Sequence, residues 1–254
     1  MPDAIQAGDR VLLYRDEAPR RVVEARDETA RVPGLGVLNL GDLVGRAWGS
    51  KLTLGADEYL LLRPILRDRL LSLDRGPQIV LPKDASRIVL ECGLHAGSRV
   101  AEAGVGSGAL TMVLAHAVAP TGRVLAFDNR EDHLNHAKRN LKQAGLDAVV
   151  EFKMADVTKG IAEKNLDAVV LDLPEPENVV PHAHKALGPS GAFASYSPLV
   201  IQMERTVEAL RAHGFIEIRS LELLERPWMV HERGSRPETT MLAHTGFLTF
   251  ARRP

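Results

Sequence analysis

Arg99-Val-Ala-Glu-Ala-Gly-Val-Gly-Ser-Gly-Ala-Leu110 is the stretch on which the reading of the fold turns. A short apolar run, Arg99–Ala103, leads into glycines at 104, 106 and 108, and an apolar segment of helical length, Ala109–Val118, follows. Strand, glycine turn and helix in that order open a parallel sheet whose ligands sit beyond the carboxyl ends of its strands. Glycine lets the backbone turn tightly and meet a ligand with no Cβ in the way. The helix start offers free N–H groups. A plain tight turn needs one such residue, two at most. Three argue for a ligand.

The alternation continues downstream. Strands are expected at Val124–Asp128, Val149–Lys153, Ala168–Leu171, Ala192–Tyr196, Ile216–Leu223 and Gly246–Ala251. Between them lie helices Arg130–Ala144, which Gly145 ends, Glu177–Leu187, and Val200–His213, which Gly214 ends. Asp84 can cap a further helix running to about Leu94. With Arg99–Ala103 this makes a seven-stranded α/β domain of Rossmann-like type, helices on both faces, over residues 71–254. Residues 1–70 differ: short apolar runs at Arg10–Tyr14, Arg21–Glu24, Gly36–Leu40, Lys51–Leu54 and Tyr59–Leu62 are cut by polar turns. That spacing predicts a small β-rich domain, a barrel or sandwich.

Composition narrows the classes. Hydrophobic residues are 45% and charged residues 26% of the 254, which suits an ordinary globular protein. No apolar run reaches the roughly 18 residues that span a bilayer, and the early acids of the start lack a signal peptide's apolar core. A cytoplasmic protein without membrane contact is expected. Cys92 is the single cysteine, so neither an internal disulfide nor a cysteine-based zinc site can form. The net charge of −1 gives no bulk basic footprint, so any nucleic-acid surface must come from local patches of the 32 lysines and arginines.

Which ligand the glycines hold is open at this level. Gly104-Val-Gly106-Ser-Gly108-Ala109 satisfies the dinucleotide fingerprint, and Asp128 ends the next strand where ribose hydroxyls would be bound in either cofactor class. NAD and S-adenosylmethionine fit almost equally. Further along, Leu166-Asp-Ala-Val-Val-Leu-Asp172-Leu-Pro174 reads as a strand buried on both faces, with Asp172 at its carboxyl end. That carboxylate can accept from a planar amino group, or merely cap the turn that follows. Asp156 is placed in the same way after Ala155, with a turn aspartate as the plainer reading.

Four segments together resemble one family. Arg75-Gly-Pro-Gln-Ile-Val-Leu-Pro-Lys-Asp84, Glu102-Ala-Gly-Val-Gly-Ser-Gly-Ala-Leu-Thr111, Leu171-Asp-Leu-Pro-Glu-Pro176 and Arg236-Pro-Glu-Thr-Thr-Met-Leu-Ala-His-Thr-Gly-Phe247 are similar to those of the tRNA (adenine-58-N1)-methyltransferases of the T-loop, in particular their archaeal branch. The glycine loop is common to many methyltransferases. The first and last segments in combination are far more specific.

The resemblance implies S-adenosylmethionine as cofactor and tRNA as partner. It implies that Gly104, Val105, Gly106, Ser107, Gly108, Ala109 and Leu110 wrap the cofactor's methionine part, that Asp128 with Asn129 holds the ribose, and that Asp156 with Ala155 meets the adenine amino group. Gln78 and His133 approach the cofactor, and Asp172 receives the target adenine. Arg236 and His244 are candidates for the RNA side, and Arg233, Arg252 and Arg253 could meet phosphates, although clustered arginines are often only a solvated face. The resemblance also implies a homotetramer and a tRNA-binding role for residues 1–70, and the chemistry requires no metal. Relatives often carry Glu at Asp128 and Tyr or His at Leu81. Whether adenine 57 is modified with 58 stays open. The competing readings are a protein methyltransferase of isoaspartyl type, an NAD-dependent oxidoreductase, and a non-catalytic RNA-binding subunit.

Overall fold

The computed structural model describes residues 3–16, 18–73 and 79–254. The chain forms two compact units, Met1–Arg75 with Arg139–Asp147, and Gly76–Lys138 with Ala148–Pro254.

The small unit contains β1 (Arg10–Tyr14), β2 (Arg21–Glu24), β3 (Thr29–Val32), β4 (Gly36–Asn39), β5 (Lys51–Leu54), β6 (Asp57–Leu62) and α1 (Leu66–Leu71). Its main sheet has the order β2-β1-β6-β5, all pairs antiparallel. β3 and β4 form a separate hairpin around Pro33-Gly34. Ile5, Val11, Leu13, Val23, Leu40, Leu43, Tyr59 and Leu61 make a continuous core. Neither β3 nor α1 was expected from sequence. Thr-Ala-Arg-Val alternates too weakly to read as a strand and is one only because β4 pairs with it.

Residues 139–147 fold with this unit for an electrostatic reason. The last carbonyls of a helix lack partners and favour cations. Here Arg10 donates to the carbonyls of Lys142 and Gln143, and Arg69 to that of Ala144.

The large unit runs α2 (Pro82–Glu91), β7 (Arg99–Ala103), α3 (Ala109–Val118), β8 (Arg123–Asp128), α4 (Glu131–Ala144), β9 (Val150–Met154), β10 (Leu166–Leu171), α5 (Val180–Ala186), β11 (Leu187–Ser197), α6 (Val200–Ala212), β12 (Ile216–Glu222), β13 (Trp228–His231), β14 (Gly234–Pro237) and β15 (Phe247–Arg252). Seven strands form one sheet in the order β12-β15-β11-β10-β7-β8-β9. The pairs from β11 to β9 are parallel, and β15 is antiparallel to both its neighbours. Successive side chains along β7, β8 and β10 are buried, so both faces are covered. One face packs Ala103, Phe127, Leu171 and Phe193 against α5 and α6 through Val180, Ala183 and Leu210.

Strand order reverses between β7 and β10. The chain leaves β7 toward β8 and β9, then returns to build β10 on the other side. A ligand crevice is expected at that switch point, above the carboxyl ends of β7 and β10.

Two expected elements shift and one appears unexpectedly. Asp84 does not cap α2; Leu81 takes the cap position, Pro82 begins the helix, and Asp84 is buried within its first turn. The helix expected at Glu177–Leu187 is a 3-10 turn, Pro176–Val179, followed by α5, because Pro181 cannot donate a backbone hydrogen bond into a continuous helix. The exposed hairpin β13–β14 was not expected; its strands have four residues each and pair with one another. Among the described residues, no helix is long and apolar enough to cross a membrane.

Candidate functional site

The glycine loop is shaped by collision. A Cβ at Gly104 would strike the backbone carbonyl of Asp172, so the loop and the exit of β10 touch only because residue 104 has no side chain. All three loop glycines have positive φ, and Gly108 begins α3 in the left-handed region at φ 81°. Backbone bonds tie the neighbouring strand ends: Asp172 N donates to the Ala103 carbonyl at 2.9 Å, Gly104 N to that of Phe127 at 3.1 Å, and Ala155 N to that of Asp128 at 3.1 Å.

These strand ends surround a cleft of about 390 Å³. Gly104, Gly106, Asp128, Asn129, His133, Ala155, Asp156 and Asp172 line it, along with Phe127, Arg130, Val157, Thr158, Leu173, Pro174 and Glu175, which sequence reasoning did not select. Pro174 and Glu175 follow directly on Asp172, and Thr158 is the partner of Asp156, so the signal for them was adjacency alone. Val105, Ser107, Ala109 and Leu110 are buried behind the loop rather than facing the cleft. Gln78 lies outside the described residues. Leu81, whose side chain is only partly exposed, is not among the lining residues.

Asp128 has two duties. Its Oδ2 accepts from Gly106 N at 3.2 Å and lies 3.2 Å from His133 Nδ1, while Oδ1 accepts from Arg130 N at 2.9 Å. A carboxylate offers about four acceptor positions. Most of them here fasten the glycine loop and the start of α4 to the end of β8. Asp156 also has local work: Oδ1 accepts from Thr158 N at 3.0 Å and from Thr158 Oγ1 at 2.6 Å, closing the turn Val157–Lys159. Those bonds hold its pKa below the usual carboxylate value.

Asp172 is different. Among the described residues no group donates to its carboxylate, and burial pushes its pKa up to about 7. Beneath the loop, Glu102 is fully buried, with neither oxygen in a hydrogen bond among the described residues. Burial drives it up to about 8, tempered by nearby Thr111 and reinforced by the charges of Asp172 and Asp128.

The balance of charge separates the two cofactor classes. Asp128, Asp156, Asp172 and Glu175 line the cleft, against Arg130 and His133. Arg130 turns to Asp132, and His133 to Asp128. Such a wall repels a dinucleotide's pyrophosphate and favours a cation.

His244 and Arg236 stand outside the cleft lining. His244 Nδ1 is 2.6 Å from Glu222 Oε1 and Nε2 is 2.8 Å from the Pro198 carbonyl, with the ring tilted over Phe247. The Glu222 bond first, and the carbonyl second, raise its pKa above the ordinary value. Next to it, Thr245 Oγ1 donates to buried Asp84 at 2.9 Å, Lys83 Nζ bridges both residues at 2.8 Å, and Tyr196 donates to the Thr245 carbonyl. A Cβ at Gly246 would strike the Tyr196 ring. This His-Thr-Gly segment therefore knots α2, β11, β12 and β15 together. Arg236 lies on the exposed hairpin; Arg252 pairs with Glu217 at 3.7 Å, and Arg253 donates to the Leu187 carbonyl.

Residues 61–234 match the family described as the tRNA methyltransferase complex GCD14 subunit. The chain belongs to this GCD14 family. Among its relatives, the tRNA (adenine(57)-N(1)/adenine(58)-N(1))-methyltransferase TrmI of Methanocaldococcus jannaschii is 39% identical over 222 residues, covering 77% of this chain and 79% of the relative. A tRNA (adenine(58)-N(1))-methyltransferase TrmI of Thermus thermophilus is 37% identical over 198 residues, 78% of each. In structure, a SAM-dependent O-methyltransferase of Thermotoga maritima superposes with a TM-score of 0.86 at 34% identity, covering 99% of this chain and 95% of that one. The tRNA (m1A58) methyltransferase TrmI of Aquifex aeolicus does so at 0.79 and 27%, covering 99% of both.

The residues fit the cofactor of such enzymes. The cradle at Gly104 would be filled by any Cβ, the loop presents backbone rather than side chains, and the acidic wall suits a sulfonium cation. NAD, which the glycine spacing alone had left equal, carries an anionic pyrophosphate that this wall disfavours.

Proposed function

We propose that the protein methylates N1 of adenine 58 in the T-loop of tRNA, using S-adenosylmethionine. The observation that carries this is Asp172 at the switch point, whose carboxylate accepts from no group among the described residues and whose backbone meets the glycine loop, in a chain of the GCD14 family. When bound, S-adenosylmethionine supplies a methyl group already activated by its positive sulfur. The protein's task is then positioning.

Gly104 to Gly108 hold the methionine end by backbone, Asp128 and Asn129 the ribose, and Asp156 the adenine edge of the cofactor. Adenine N1 lies on the pairing edge, so the target base is extruded into the cleft. Asp172 accepts from its exocyclic amino group, turning the N1 lone pair toward the cleft and offsetting the positive charge that develops on the ring. The small unit grips tRNA and takes no part in the chemistry. The knot at His244 supports the region by structure, and Arg236 on its exposed hairpin meets the RNA. Exposed Leu199, Val200, Ile201, Trp228 and Val230 support assembly of the cytoplasmic enzyme as a homotetramer, for which light scattering should read four times 27.7 kDa.

The test is incubation of the purified protein alone with labelled S-adenosylmethionine and an unmodified tRNA transcript, followed by mapping of the methylated position. Label at adenine 58 supports the reading, and the same map reports adenine 57. Label only on an isoaspartyl peptide, or none without a second subunit, overturns it.

A further inference from the structure

Within the small unit a groove of about 690 Å³ opens beside β2, β3 and the last turns of α4. Its charged lining is Arg21, Arg26, Arg31, Arg139 and Lys142 against one acid, Glu24. That acid is already neutralised, by Arg10 at 2.9 Å and Arg26 at 3.7 Å. Arg26 is also occupied by Glu28 at 2.6 Å. Arg21 donates to the carbonyls of Pro33 and Arg20, which fix its guanidinium without cancelling its charge. Arg31, Arg139 and Lys142 are exposed and pair with no carboxylate among the described residues. Among the described residues, four cations without a carboxylate partner therefore line one concavity, in a chain whose net charge is −1.

Cations on an exposed face often serve only solubility. This set does not have that form. Arg139 and Lys142 are three residues apart on a helix, so their like charges are neighbours and repel. Arg21 and Arg31 reach the same groove from two strands, and nothing among the described residues relieves the repulsion. A bound anion would. Guanidinium groups fit phosphate as planar forks, two hydrogen bonds at a time.

We propose that this groove binds the sugar–phosphate backbone of the tRNA, with Arg21, Arg31, Arg139 and Lys142 each facing a phosphate. The inference rests on the function proposed above and adds to it a second site, which reads charge and not sequence. Each neutralised phosphate releases condensed counterions, so each such contact adds about 0.7–0.9 to the slope of log affinity against log salt.

The experiment titrates a labelled, unmodified tRNA transcript with the full-length protein and with R31Q/R139Q/K142Q between about 50 and 300 mM salt. The triple variant should bind about tenfold or more weakly near 100 mM, with a slope smaller by about 2–3. Calorimetry with S-adenosylmethionine should match the wild type, which shows that the large unit is intact, and an unchanged circular dichroism spectrum and Tm should show that the small unit is folded. If it fails to fold, each single variant should still lower the slope by about 1. Lys51→Gln, whose lysine pairs with Glu58 at 2.7 Å and lies outside the groove, should leave the slope unchanged. Weaker binding at an unchanged slope, or unchanged binding in a wild-type enzyme that methylates tRNA, overturns the groove and leaves the proposed function standing. A wild type that neither binds nor methylates tRNA overturns the function itself.

Discussion

The cleft of the large unit and the groove of the small one are electrostatic opposites. The cleft gathers Asp128, Asp156, Asp172 and Glu175 around a glycine cradle; the groove gathers Arg21, Arg31, Arg139 and Lys142 around a single neutralised acid. Averaged over the chain they nearly cancel, which is why a net charge of −1 is silent about both. The lesson is that a protein with a cationic cofactor and a polyanionic substrate can be neutral overall, provided each surface is gathered within its own unit.

The sharpest way to break this comparison is to remove Asp172, the charge proposed to sit at the reacting centre. Asp172→Ala should lower single-turnover methylation at saturating tRNA by about 10²–10³, the usual loss for one preorganised electrostatic partner. Calorimetric affinity for S-adenosylmethionine should stay near that of the wild type. Near-normal turnover would reduce Asp172 to a turn residue, and a collapse of cofactor binding would move it to the cofactor's side of the cleft.

Gly104→Ala tests the cradle rather than the charge. The added methyl meets a backbone carbonyl, which cannot swing aside, so overpacking strain of about 1–3 kcal/mol should appear. The strain should lower Tm, and a loop displaced to relieve it should lose cofactor affinity by up to about 5- to 150-fold, read in the same calorimeter, with tRNA affinity unchanged. Asp128→Ala should cost a similar amount, about 1.5–3 kcal/mol for hydrogen bonds to a charged group. Part of that loss comes from freeing the glycine loop. Asp128→Asn, which keeps an acceptor, should recover some of it.

Acidity offers a gentler probe. A carboxyl pushed up to about 7 is neutral below that pH and charged above it, so the acceptor at Asp172 is gained as pH rises and lost as it falls. The profile of kcat/KM, which reports the free enzyme, should therefore rise about tenfold per unit below pH 7 and level off above. Asp172→Asn should remove that inflection. In the complex with a cationic cofactor the inflection should move to lower pH.

The smallest effect belongs to the knot. His244 has a raised pKa, so its ion pair with Glu222 stabilises fully below the ordinary histidine value and is lost as pH rises through the raised one. The gap in Tm between wild type and His244→Gln should shrink from about pH 6 to pH 9. A constant gap would mean that packing on Phe247, not charge, accounts for the histidine.

Much of the large unit was legible residue by residue. β7, α3 and β10 lie where their apolar runs and the glycines put them, because local pattern and tertiary role agree there. Elements whose form depends on a partner, near or far along the chain, were not legible. β3 is a strand only against β4, and α2 starts at Pro82 while Asp84 turns inward to Lys83 and Thr245, 161 residues away in the case of Thr245.

By itself, the sequence determined the order of strands and helices, the glycine loop, and the acids standing at strand ends, since each is a property of neighbours along the chain. The tertiary structure alone decided which of those acids already carry local bonds. Asp156 closes its own turn and Asp128 fastens the loop, whereas among the described residues no group donates to Asp172, in a place where burial opposes its charge. It also decided that the glycine at 104 answers to the carbonyl of Asp172, far along the chain, and that arginines on β2, β3 and α4 share one groove. Hydrogen bonds, desolvation and like-charge repulsion act over ångströms in space, so only the folded chain brings those groups close enough for them to count.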